Sequence, residues 1–264
     1  MGGRSGALGG YFQNTGLAIE QVIERMFDIL KWMAEISESQ FSYDSLNELL
    51  ENQDALKHHL SNFEMMEFTE TGEVASRPIS PDDFIQGSYL DAYINKMQEV
   101  IYIYRRQMVV LFVTYVESIV FDFMKSLFLA YPARMYEFLD MGTDQKIKGK
   151  IDLKEILDAN TKDELIGKLA QRTASVATRG KFETVVNNLE KVSKSKLDTV
   201  LIKKLKYFTE LRNKIVHEAS KKELTDQAVR DGFEAVNNLL QSLGKIAAQK
   251  NIPYSFIPEV EENI

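Results

Sequence analysis

The chain has 264 residues, enough for one large domain or one domain with an appendage. Hydrophobic residues make up 44% of it, so it can bury a sizeable core. With no cysteine, disulfides, thiol nucleophiles and thiolate zinc sites are excluded, as suits a reducing cytoplasm. The formal net charge of −7 argues against nucleic acid as a partner only until its distribution is read. Residues 180–222 hold eleven Lys/Arg against five Asp/Glu, a net of +6, while residues 11–75 hold thirteen acids against three bases, a net of −10. A charge run is most often a solvated face. The basic stretch gains interest only from the motif inside it.

In chain order, residues 1–10 are Gly-rich, lack an apolar signal core and read as a disordered lead-in. Leu17–Ile36 has helical spacing in Leu17, Ile19, Val22, Ile23, Met26, Phe27, Leu30 and Met33. Ser42–Phe63 reads as a second, more polar helix, so residues 11–80 form an acidic helical extension. The turn residues Gly72, Pro78 and Pro81 then break the chain, and Ser80-Pro81-Asp82-Asp83 suits a helix start. One very long helix is expected from about Asp83 to Ala130, stopping before Pro132. Arg105, Arg106, Gln107, Glu117, Asp122 and Lys125 interrupt its apolar residues, and its best run, Met108–Tyr115, is too short to span a bilayer. It reads as a buried core helix, with no membrane partner.

Lys154–Asp158 and Lys162–Ala174 read as shorter helices, the second opened by a capping box in Thr161 and Glu164. Thr178–Lys181 is a loop and Phe182–Val192 a helix. Leu197–His217 carries Leu201, Leu205, Phe208, Leu211 and Ile215 on one stripe. Asp226–Gln249 is the last helix, with Val229, Phe233, Val236, Leu239, Leu240, Leu243 and Ile246 facing inward. Residues 251–264, with Pro253 and Pro258, form an extended tail. No strand pattern or internal repeat stands out. The fold class is all-α, a bundle of long antiparallel helices.

Chemistry concentrates in Leu211-Arg212-Asn213-Lys214-Ile215-Val216-His217. A guanidinium clamps a phosphate through paired hydrogen bonds, and an imidazole moves protons at neutral pH. On a helix Arg212 lies about 40° from Phe208 and about 60° from Ile215, within the apolar stripe, where a charge must be paired or held in a cleft. Asn213 and His217, four apart, share another face. Taken alone, the segment also reads as an ordinary exposed helix end. Glu117, flanked by Val113, Val120 and Phe121, reads as partly shielded and paired to a structural cation; Asp122 and Glu210 read as solvated. His58 and His59 read as surface residues. Lys203, Lys204 and Lys206 read first as surface lysines. No His/Asp/Glu cluster has ligand spacing, so neither a metal nor a cofactor is expected.

The segment from about Phe84 to Lys250 resembles the HEPN domains, in particular their RiboL-PSP branch. The likeness rests on Tyr115-Val116-Glu117-Ser118-Ile119, on Thr161-Lys162-Asp163-Glu164-Leu165-Ile166 followed by Arg179-Gly180-Lys181-Phe182, and on the Arg212–His217 segment with the helix after it. It implies a HEPN-like four-helix core at 81–250, a homodimer and often metal-independent cleavage of RNA. The motif Arg and His of two copies would meet across the interface. Arg212, Asn213, His217 and Glu117 become the expected catalytic group, with Glu117 placing Arg212 or His217, and Arg179, Lys181 and Lys214 the expected RNA contacts. Many relatives act as toxins or in defence against phage, which implies an antitoxin or a phage-derived trigger as a further partner; some only bind RNA. No tyrosine follows His217 within ten residues, so a partner that modifies a nearby tyrosine has no target there. The acidic extension either lies over the basic face or simply adds helices to the assembly.

Overall fold

In a computed structural model of the protein, residues 25–62, 64–69, 71–78, 89–139, 156, 159–217 and 223–255 are described. The expected lead-in, the beginning of the Leu17 helix, the Ser80–Asp83 start, most of Lys154–Asp158 and the end of the tail lie outside them.

Helix α1 spans Ile29–Glu51 and begins at Asp28, whose side chain accepts from Lys31 N at 3.1 Å. The expected break between Ile36 and Ser42 does not occur. Ser37–Phe41 contains no Gly or Pro, and the Ser42 hydroxyl donates back to Glu38 O at 2.9 Å instead of capping a new helix. The break falls at Asn52, whose side chain accepts from Asp54 N and Ala55 N and so opens α2, Gln53–Leu60.

A hairpin follows that sequence pattern did not disclose. Strand β1, Glu64–Phe68, pairs antiparallel with β2, Val74–Pro78. The connecting turn uses Gly72 at φ +79°. Both strands are five residues long, and β2 is exposed apart from half-buried Arg77, so burial imposes no alternation for a sequence to show.

Helix α3, Tyr89–Ala130, is the unbroken axis of the fold. It ends where expected. Pro132 starts a 3-10 turn, Pro132–Met135, that passes into the short α4, Tyr136–Leu139. Length and composition alone would let Ala92–Ala130 cross a bilayer, yet 56% of its most apolar window is buried inside the protein. Against α3 pack α5 (Lys162–Ala177), α7 (Thr199–His217), α8 (Asp226–Gln249) and α1, with α6 (Phe182–Ser193) closing one side.

Helix α5 starts on Thr161, whose hydroxyl accepts from Glu164 N at 3.1 Å. The Glu164 carboxylate reaches back to Asn160 N at 2.9 Å, one residue earlier than an ordinary capping box. The inner residues expected on α8 are all buried, as is the α7 stripe from Leu201 to Leu211. At the centre Phe112 meets Phe208 and Phe233 edge-on, with ring centroids 5.7 and 4.8 Å apart. The fold is thus all-α, a HEPN-like helical bundle, with one peripheral hairpin.

The N-terminal segment is built into this bundle. Phe27 is fully buried and exchanges backbone bonds with the tail, Phe27 N to Pro253 O at 2.8 Å and Ser255 N to Phe27 O at 3.1 Å. That contact also ends helical structure before Asp28, where one continuous helix had been expected. Farther along α1, Tyr43 donates to Asp226 Oδ1 at 2.8 Å. Arg105 donates to Tyr43 Oη, Asn47 Oδ1 and the Leu224 carbonyl. A guanidinium withdrawn from water needs such partners, and two of the three come from α1.

Candidate active site

Arg212 sits in the last two turns of α7, half-buried as its place in the apolar stripe requires. Its Nη1 donates to Asn213 Oδ1 at 3.0 Å, and its Nη2 lies 3.8 Å from Glu117 Oε1. The guanidinium is therefore pinned from one side by its neighbour on α7 and loosely from the other by α3. Among the described residues its other N–H groups have no acceptor, which leaves them for a further one.

Glu117 corrects the sequence reading: its side chain is 62% exposed. Val113, Val116 and Val120 face the core, while Glu117 looks from the edge of that face into a gap that no helix among the described residues fills. Asp122 is corrected in the opposite direction. It is half-buried and accepts from Trp32 Nε1 at 3.2 Å, and burial raises its carboxyl above the usual range against the pull of Lys31, the Trp32 bond and Lys125.

The loop Thr178–Lys181 reaches the same gap. Thr178, Gly180 and Phe182 line a crevice together with Glu117 and Thr209. Gly180, at φ +105°, makes the turn from α5 into α6. Arg179 and Lys181 are exposed on that loop. Lys214 is exposed on α7, one turn before its end. Of the α7 lysines, Lys204 pairs with Glu234 at 3.2 Å and Lys206 with Glu183 at 2.6 Å. The Lys206 bond holds the Glu183 carboxyl below its ordinary range.

His217 closes α7 and is exposed. No bond joins it to Arg212, Asn213 or Glu117 within one chain. Helix α7 runs antiparallel to α3: Phe208 meets Phe112, and Leu224 beyond its end meets Arg105. That direction carries His217 toward the Arg105 end of α3, about 7.5 Å along the axis from Arg212 at a 1.5 Å rise per residue. One chain thus brings Arg212, Asn213, Glu117 and the 178–181 loop together and leaves His217 apart and exposed. His58 is exposed on α2, in line with the surface role read for it. Thr209 and the crevice beneath Glu117 were not legible in the sequence, because a threonine at mid-helix carries no signal until the facing loop is placed.

Residues 88–249 match the family model described as RiboL-PSP-HEPN. No curated protein and no solved structure matches the chain. The matched span takes in α3, the loop between α5 and α6, the Arg212–His217 segment and all of α8. With more than half its length inside that match, the chain belongs to the RiboL-PSP-HEPN family.

Proposed function

We propose that this protein is a metal-independent endoribonuclease working as a homodimer in the cytoplasm. Its family suggests a nuclease or an RNA-binding module. The observation that carries the nuclease reading is the half-buried Arg212, held by Asn213 and Glu117 with donors to spare among the described residues, five residues before an exposed imidazole. Cleavage by the ribose 2′-hydroxyl needs one group to take its proton and another to protonate the departing 5′-oxygen. One chain has a single histidine in the motif. Two chains related by a twofold axis supply two copies. In this reading one His217, neutral, takes the 2′-hydroxyl proton. The partner's His217, protonated, gives a proton to the 5′-oxygen as the P–O5′ bond breaks. Arg212 stabilises the added negative charge on the phosphorane-like transition state, and Asn213 and Glu117 hold Arg212 in place. The ends left are a 2′,3′-cyclic phosphate and a 5′-hydroxyl.

The basic stretch around the motif supports RNA as substrate, with Arg179, Lys181 and Lys214 gripping phosphates on either side. A role as a toxin or anti-phage effector, restrained by an antitoxin or released by a phage-derived trigger, follows from the family alone. The test is cleavage of labelled RNA by purified protein in EDTA. His217→Ala and Arg212→Ala are each expected to reduce the rate at least about a hundredfold, on the scale of general acid–base and charge-stabilising groups, while RNA binding by His217→Ala persists. Tight binding with no cleavage by the unaltered protein would instead assign it as a non-catalytic RNA-binding module, a reading that the isolation of His217 within one chain favours.

A further inference from the structure

Beside Glu117 the apolar sides of α3, α6 and α7 leave a crevice of about 60 Å³. Its walls are mostly aliphatic, with half-buried Phe182 as the one aromatic residue in the lining. Its polar side chains are Glu117, Thr178 and Thr209. Both threonine protons are already committed: Thr178 Oγ1 donates to Ala174 O at 2.8 Å, and Thr209 Oγ1 to Leu205 O at 3.0 Å. What these hydroxyls have left to offer is lone pairs. An ionised carboxylate likewise only accepts. Among the described residues Glu117 makes one long contact, with Arg212 at 3.8 Å, and it is mostly exposed, so its oxygens have capacity left. The polar side chains in the lining are therefore all acceptors, with the Arg212 guanidinium beside Glu117 outside it.

An unpaired RNA base enters such a site edge first, read on its Watson–Crick edge and stacked on an aromatic ring. The four bases differ there. Uracil offers one donor between two acceptors, and adenine and cytosine each set one donor group beside an acceptor. Guanine alone offers two neighbouring donors, N1–H and the 2-amino group. A carboxylate takes that pair in parallel, as it takes a guanidinium, and such charge-assisted bonds are the strong ones. A base that presents an acceptor to this rim leaves acceptor facing acceptor, with both desolvated and unpaired.

We propose that this crevice is a guanine-reading subsite, a proposal that rests on the ribonuclease reading above. Glu117 receives N1–H and the 2-amino group, Phe182 carries the ring, and Arg212 holds the adjoining phosphate. The small enclosed volume takes the edge of the base, and the ribose stays at the mouth.

The test uses the full chain in EDTA and RNA oligonucleotides with a single central guanosine, or with inosine or adenosine in its place. Inosine keeps N1–H and lacks only the 2-amino group. Cleavage beside guanosine is expected to exceed that beside inosine by about tenfold or more, the worth of one hydrogen bond to a charged group, with adenosine lower still. Glu117→Gln is expected to bring the guanosine-to-inosine ratio toward one, and Thr209→Val to reduce it. Each ratio is taken within one protein, so a general loss of activity does not affect it. Equal cleavage of the three oligonucleotides by the unaltered protein, or a ratio untouched by Glu117→Gln, overturns the subsite. Should no RNA be cut, the ribonuclease reading fails by itself. The ratio of binding affinities for the same oligonucleotides, by fluorescence anisotropy, then decides the subsite by the same criteria.

Discussion

Tyr43 is fully enclosed, and its hydroxyl lies between Asp226, to which it donates, and Arg105, from which it accepts. Burial is the main reason that its pKa is pushed up to about 12, with Arg105 opposing and Asp226 assisting. Tyr43→Phe keeps the ring and strips both neighbours of a partner, so a loss of about 1–3 kcal/mol is expected in urea denaturation. A loss within error would mean that water reaches the site. At Asp226 burial works to raise the pKa, but the bonds from Arg230 and Tyr43 outweigh it and the net shift is downward. A carboxyl lowered on folding stabilises the folded state above its unfolded pKa, and that contribution is lost as pH falls through the folded value. The stability gap between the unaltered protein and Asp226→Asn should therefore narrow from pH 7 into the acid range below about pH 4. A gap constant across that range would show that the carboxylate charge contributes nothing to the Tyr43–Asp226–Arg230 contacts. Arg212 was legible in the sequence because a charge inside an apolar stripe has few explanations. The exposure of Glu117 was not, since its apolar neighbours report only the side of α3 that is covered.

Helix boundaries followed local chemistry wherever local chemistry decided them. Pro132 stops α3, Thr161 starts α5, and the inward stripes of α7 and α8 are those that helical spacing marks. Where a distant contact decides, the sequence was silent: Phe27 is drawn out of helix by Pro253 and Ser255, more than two hundred residues away. The same holds for Gly232 in the middle of α8. Alanine favours a helix interior by about 1 kcal/mol over glycine, yet here a Cβ would stand 2.1 Å from Phe112 Cε2 and 2.3 Å from its Cδ2. That ring is held between Phe208 and Phe233 and cannot yield. Gly232→Ala is expected to cost about 1–3 kcal/mol by overpacking. Gly244→Ala, whose Cβ would meet only the mobile tip of Ile29 at 2.9 Å, should be near neutral or slightly stabilising. Thermal melts of the two variants side by side test this, and equal melting temperatures would contradict the close α3–α8 approach.

For the whole molecule, the described part of the acidic N-terminal segment is built into the helical bundle. It gives the core Phe27, Trp32, Ile36 and Tyr43, and it gives Arg105, inside the family-matched span, two of its hydrogen-bond partners. Helix α1 packs chiefly on α3 and α8. Removing residues 1–60 is therefore expected to give a chain that does not unfold cooperatively and shows no gain in ribonuclease activity; a soluble, hyperactive truncation would restore the picture of an acidic cover over the basic face. The charge split between the two halves of the sequence disclosed that they differ, but it could not tell a removable lid from an integral helix. The account as a whole turns on proton transfer by two imidazoles with no metal ion. The most direct measurement is the end groups of RNA cut in EDTA by the unaltered protein, with His217→Ala alongside. Products ending in a 2′,3′-cyclic phosphate (or the 3′-phosphate from its opening) and a 5′-hydroxyl, absent with His217→Ala, are expected. Cleavage that requires added magnesium, leaves a 5′-phosphate or survives the loss of His217 would contradict it.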